Sequence, residues 1–218
     1  VTGVQTCALP ISAQELKPYS VVNLGIGIPT LIVNYVDTNL FYFHTENGLL
    51  GVRELENELE FDPLIVNAGK LPVGEQVGAS YFDSASSFGM IRGGHVDVAV
   101  LGALQIDESG LIANWAVPGK DIIGVGGAMD LLVGAKKVIV TTSHTTKNGQ
   151  PKIKKSCSYP ITSVRSVDVI ITELAVFNVV KKKLILTEIT EGISIEEVRE
   201  KTEATFTVSE NLKVSNGR

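Results

Sequence analysis

Short apolar runs recur along the chain, and several end in a glycine-bearing turn. Residues 21–24, 96–101, 137–142 and 167–172 are dominated by Val, Ile, Leu and Ala, with little polar alternation. Such runs predict strands buried on both faces, as in a parallel sheet covered by helices. Residues 64–67 and 184–188 predict two more. Residues 41–45 carry four ringed side chains in a row, then Thr45, which also suits a strand. Helical spacing appears at 84–92, with Ala85, Phe88 and Ile91 inward and Gly93-Gly94 closing the helix. Residues 11–17, 30–35 and 130–135 read as shorter helices. Ser194-Ile195-Glu196-Glu197 is a capping box, with Ile193 and Val198 placed as a hydrophobic staple, so a helix is expected over 195–202. Strands and helices alternate and no Pro/Ser-rich linker divides the chain. The expectation is a single α/β domain over 11–214, with a largely parallel sheet flanked by helices. Residues 1–10 are expected to be foreign to the native fold or disordered. The tail after Asn211 is expected to fray, with 215–218 outside the domain.

Four of the turns carry possible chemistry. Gly25-Ile26-Gly27 follows a strand and leads through Pro29 into a helix. Thr30 stands where a dinucleotide fingerprint needs its third glycine, so the turn reads as the wall of a cleft. Glu46-Asn47-Gly48 sets a carboxylate at the end of a strand, on a turn that favours positive φ. Ligands of open parallel sheets bind at such carboxyl ends. Gly102-Ala103 follows the run 96–101. Gly124-Val125-Gly126-Gly127-Ala128 precedes a helix, and its glycines let backbone amides converge as a cradle for an anion or oxyanion. Asn114 either orients a substrate or holds a turn, and Trp115 beside it suits the core more than a ligand contact. His44 shares a strand face with Glu46 and either tunes the carboxylate or is structural.

Composition narrows these options. With 218 residues, 44% of them hydrophobic and 21 glycines, the chain can bury a sizeable core and make many tight turns. A net charge of −5 leaves no footprint for nucleic acid, and Lys181-Lys182-Lys183 reads as a solvated strand end or turn. Two cysteines, Cys7 and Cys157, make no disulfide framework, which points to a reducing cytoplasm. No apolar run is long enough to span a membrane. His44, His95 and His144 lack metal-ligand spacing, and no Gly-x-Ser-x-Gly elbow is present. What remains is one prominent carboxylate among amide-rich turns, a set that suits covalent catalysis at an acyl centre.

Taken in order, Thr45-Glu46-Asn47-Gly48, the run from Ser87 to Asp97, Leu101-Gly102-Ala103-Leu104-Gln105, Ala113-Asn114-Trp115 and Gly126-Gly127-Ala128-Met129-Asp130-Leu131 resemble the B (beta) subunit of family I CoA-transferases. That family includes the 3-oxoacid, acetoacetate and butyrate-acetoacetate enzymes. The resemblance implies that Glu46 is the nucleophile and Gly127 an oxyanion donor. It implies that Gly25, Gly27, Asn47, Gly48, Lys70, Asn114, Gly126 and Ala128 are candidates for contact with substrate or coenzyme A. It implies coenzyme A as substrate, with no tightly bound cofactor or metal. It implies a CoA-transferase partner, the A subunit, which completes the site in an A2B2 hetero-oligomer. Two alternatives remain on the residues alone: an acyl-CoA hydrolase sharing the glutamyl intermediate, and a regulator that binds a sugar phosphate or nucleotide on a similar scaffold.

Overall fold

Five of the apolar runs lie side by side at the centre of the molecule. The computed structural model describes residues 7–67, 69–122 and 124–215. Its strands are β1 (Val21–Leu24), β2 (Tyr42–Thr45), β3 (Leu49–Arg53), β4 (Gly74–Tyr81), β5 (Val98–Leu101), β6 (Gln105–Asp107), β7 (Ile112–Ala113), β8 (Lys137–Thr141), β9 (Ile153–Lys154), β10 (Val169–Ile171), β11 (Ala175–Val180), β12 (Lys183–Thr190) and β13 (Phe206–Ser215). Its α-helices are α1 (Leu9–Gln14), α2 (Ser84–Arg92), α3 (Ala128–Gly134) and α4 (Ile195–Glu200). The large sheet runs β13-β12-β11-β10-β8-β5-β1-β2-β3-β4, and its central five strands, β10 to β2, are mutually parallel. Strands β7-β6-β9 form a separate small sheet.

Side chains in the central strands alternate between two cores, as a two-faced sheet requires. Ala99 and Leu101 of β5, Val138 and Val140 of β8, and Ile170 of β10 face the core built with α2, α3 and α4. Val98, Val100, Ile139, Val169 and Ile171 face the opposite core, built with α1 and the 3-10 turn Ile28–Tyr35.

The strict alternation of strand and helix breaks down at both flanks. β3 and β4 extend the sheet antiparallel from β2, while β11 pairs antiparallel with β10 and β12. Tight reversals account for this. Asn47-Gly48 turns β2 back on itself. Lys181 and Lys182 both take positive φ, +51° and +60°, between the paired residues Val180 and Lys183.

Other expectations are corrected. No strand forms at 64–67: Pro63 precedes it, Asp62 Oδ1 accepts the Leu64 N–H, and only Val66 pairs, with Pro72. Ala85 faces solvent and Ser87 takes the inward place beside Ile91. The helix expected at 30–35 is 3-10 and begins at Ile28. α1 starts at Leu9, and Ala8 and Leu9 are buried, so the described chain packs from within the segment expected to lie outside the fold. α4 ends at Glu200, with the Ser194 hydroxyl accepting the Glu197 N–H as its cap. The tail does not fray as far as Ser215, which pairs with Thr190 of β12.

Candidate active site

The carboxyl end of β2 sets Glu46 at the edge of the parallel block, and the turn after it is locked. The Gly48 N–H donates to Thr45 O at 3.0 Å, and the Gly48 carbonyl accepts from Phe82 N at 3.0 Å. Gly48 has φ +121°, and a Cβ there would stand 2.0 Å from Phe82 O, so only glycine fits.

Behind Glu46 runs a polar chain. Asn23, opposite His44 in the β1–β2 register, donates through Nδ2 to Glu46 Oε2 at 3.1 Å and to His44 O at 3.1 Å. The same Nδ2 lies 3.2 Å from His44 Nδ1. His44 Nε2 meets Ser87 Oγ of α2 at 3.0 Å. This orientation puts the amide NH2 against the carboxylate; the reverse would set oxygen against oxygen. It leaves Asn23 Oδ1 buried with no partner among the described residues. Burial brings the His44 pKa down to about 4, so the ring is neutral near pH 7 and Nδ1 can accept while Nε2 donates. His44 therefore acts on the carboxylate through Asn23, not by direct contact.

On the other side lies the glycine loop. A Cβ on Gly127 would come within 3.2 Å of Glu46 Cγ and 3.5 Å of its Cδ, so this backbone lies directly against the glutamate. A cleft of about 390 Å³ opens here. All four glycine-bearing turns reach it, through Gly25, Glu46, Gly102 with Ala103, and Gly124 to Ala128. Asn114 also lines it, with Nδ2 on Gly102 O at 3.2 Å and Oδ1 accepting from Thr162 Oγ1 at 2.8 Å, so it holds the wall as well as facing the space.

Gly25, Glu46, Asn114, Gly126, Gly127 and Ala128 are thus brought together. Gly27, Asn47, Gly48 and Lys70 are not among the lining residues. Gly27 caps the 3-10 turn with φ +94°, and Asn47 Nδ2 ties its loop to Val66 O at 2.8 Å. Gly48 is buried in the turn, and Lys70 is exposed at φ +62°. Trp115 is half-buried, its indole N–H on Ile161 O. The residues that sequence reasoning missed are Asn23, Thr142 and Lys152. For Asn23 a signal was present: a lone amide inside the apolar run Val21-Val22-Asn23-Leu24. Burial and the Asp107 carboxylate push the Cys157 thiol up to about 11, which keeps it protonated near neutral pH. Among the described residues no group of three or more His, Cys, Asp or Glu is placed to hold a metal ion, and no helix is long and apolar enough to cross a membrane.

A glutamate at the carboxyl end of a parallel strand, faced by a glycine loop, is an arrangement that can carry covalent chemistry at an acyl centre. The chain belongs to the coenzyme A transferase family, which matches residues 11–201. Its activity class is the transfer of coenzyme A between an acyl-CoA and an acid. It is 49% identical over 202 residues to the B subunit of the probable succinyl-CoA:3-ketoacid coenzyme A transferase of Bacillus subtilis, covering 92% of this chain and 94% of that one. It is 47% identical over 206 residues to the beta subunit of the acetate CoA-transferase of Escherichia coli K12, covering 94% of each. Names of this kind imply a second, different chain in each of those enzymes. The fold is shared with an acyl-CoA transferase of E. coli O157:H7 solved as a thioester complex with CoA, at TM-score 0.78 and 23% identity. That match covers 98% of this chain and 43% of the other, so this chain spans less than half of that longer one.

Proposed function

We propose that this chain is the B subunit of a cytoplasmic A2B2 transferase that moves coenzyme A from an acyl-CoA such as succinyl-CoA to a 3-oxo acid such as acetoacetate, by a ping-pong route through Glu46. The substrate choice follows the names of the B. subtilis and Helicobacter pylori relatives. The observation that carries the reading is the packing of Glu46 between the Asn23 amide and the Gly127 backbone.

In the first step the Glu46 carboxylate attacks the thioester carbonyl. The C–S bond breaks, giving an acyl-glutamyl anhydride and free CoA thiolate. The thiolate then attacks the glutamyl carbonyl, forming the Glu46–CoA thioester and releasing the first acid as its carboxylate. A second acid reverses both steps and leaves as its CoA ester. A carboxylate is a weak nucleophile in water, so it must be fixed and shielded; Asn23 fixes one oxygen and the cleft walls limit solvent. Each tetrahedral intermediate bears an oxyanion, and the Gly127 amide, with Gly126 and Ala128 beside it, is the donor offered by this chain. The A subunit supplies the remaining walls. Binding energy from the body of coenzyme A drives the difficult steps.

The test is chemical trapping. The chain is assembled with its A subunit, incubated with acyl-CoA, and treated with hydroxylamine or borohydride; peptide mass spectrometry should find the modification on Glu46. An active mixture modified at another residue overturns the assignment. Glu46→Asp retracts the carboxylate by roughly 1.5 Å and should lower kcat on the order of a hundredfold.

A further inference from the structure

Glu46 and Lys152 are the two charged side chains that line the cleft. Lys152 is held there by its backbone. Its N–H donates to His144 O at 3.0 Å, and its carbonyl accepts from Ile106 N at 2.9 Å. The next residue, Ile153, is fully buried, so strand alternation turns Lys152 the other way, into the cleft. The Lys152 ammonium donates to Thr142 Oγ1 at 2.9 Å, and that hydroxyl donates onward to Ala103 O at 3.1 Å. Lys152 takes part in none of the ion pairs among the described residues. Glu173 acts on it only through space, because its carboxylate accepts the His144 N–H at 2.9 Å. Burial holds the Lys152 pKa below the usual lysine range, against the pull of Glu173. An ammonium has three donors, and one is used here. A half-buried cation with two unused donors, aimed into a cleft, is matched by an electron-rich oxygen on the ligand.

We propose that Lys152 Nζ, supported by Thr142 Oγ1, is the subsite for a second oxygen further along the acyl group: the 3-oxo group of an acetoacetyl type, or the second carboxylate of a succinyl type. The inference rests on the reading of Glu46 as the point where the reacting carbonyl sits. The reacting carbonyl and a second oxygen further along the same acyl group then engage the two charged residues of one cleft. Lys152 thereby makes the enzyme prefer oxygen-bearing acids over plain alkanoic acids.

The experiment uses the chain assembled with its A subunit, measuring CoA exchange with acetoacetate, succinate and butyrate as acceptors. Lys152→Met should lower kcat/KM for acetoacetate, succinate or both on the order of ten- to a hundredfold, the loss of a charge-assisted hydrogen bond, and leave butyrate within about twofold. Loss on one oxygen-bearing acid alone identifies which oxygen is held. Lys152→Gln, which keeps a donor for Thr142, guards against a misfolded variant and should show the same selectivity at smaller size. Equal loss on all three acids, or loss on none, overturns the proposal. Trapping the glutamyl adduct on the same samples separates the outcomes: absence of the adduct on Glu46 in the unaltered enzyme sinks the reading of the site, whereas its presence with unchanged selectivity sinks only the subsite.

Discussion

Asn23 occupies the interior of an apolar strand, where an amide costs stability unless its groups are paired. The two hydrogens of its NH2 group are shared among three acceptors, while Oδ1 has no partner among the described residues. The strand accepts that penalty in exchange for a donor placed on Glu46 Oε2. The fixed neutral state of His44 maintains the direction of the amide, because an imidazolium Nδ1–H would oppose the amide N–H. Asn23→Asp reverses the contact and sets a second carboxylate against Glu46. Like charges at this distance raise the pKa of one of them, so the nucleophile should ionise at higher pH. The expected result is a lower kcat whose acid limb moves upward in pH, while Asn23→Ala lowers kcat by about tenfold or more without moving that limb as far. A pH–rate profile of Asn23→Asp that overlays the unaltered one would show that the amide does not address the carboxylate.

At the scale of elements, the central strands and the flanking strand β12 were legible, and the other flanking strands were not. Runs such as Val98-Ala99-Val100-Leu101 are apolar on both faces, and burial on both faces leaves few options besides a covered parallel strand. β3, β4 and β13 have one face to solvent and mixed composition, so no run marked them. The turns that line the cleft were visible because glycine and a strand-end carboxylate are local signals. Lys152 was not, because only the small β6–β9 sheet brings it to the cleft. The turn between β11 and β12 shows how weak a local signal can be. Both central residues take left-handed φ, yet both are lysine, a conformation that disfavours side chains with a Cβ by about 1 kcal/mol or more each. Lys181→Asn with Lys182→Gly supplies the residues this turn prefers and should raise stability by roughly 1 kcal/mol after the added freedom of glycine in the unfolded chain. A fall in melting temperature would mean that the lysines make contacts outweighing the strain.

For the molecule as a whole, two buried histidines at separate places set its response to acid. His44 lies between Asn23 and Ser87, behind Glu46. His144 bridges Thr172 Oγ1 and Thr202 Oγ1, at 2.9 Å each, between the large sheet and the segment after α4. Burial lowers each pKa to about 4; for His144 the Lys201 ammonium adds to the shift and the Glu197 carboxylate opposes it. Between about pH 6.5 and pH 4 the unfolded chain binds a proton at each ring that the folded chain refuses. Stability therefore falls as pH falls through that window, by on the order of 3 kcal/mol per histidine at its lower end. Two such losses are comparable to the whole stability of a typical domain, so unfolding should set in within this window. The carboxylates held below their usual range, Asp83 and Asp97 among them, contribute stability that is lost only at the acid end, as pH drops through their lowered values. His144→Gln, which keeps both a donor and an acceptor for the two threonines, separates the effects. Its melting temperature should still decline from about pH 6.5 to 5, but roughly half as steeply as that of the unaltered chain, because His44 remains. Parallel declines in the two proteins would show that His144 is charged in the fold and that the acid response comes from elsewhere.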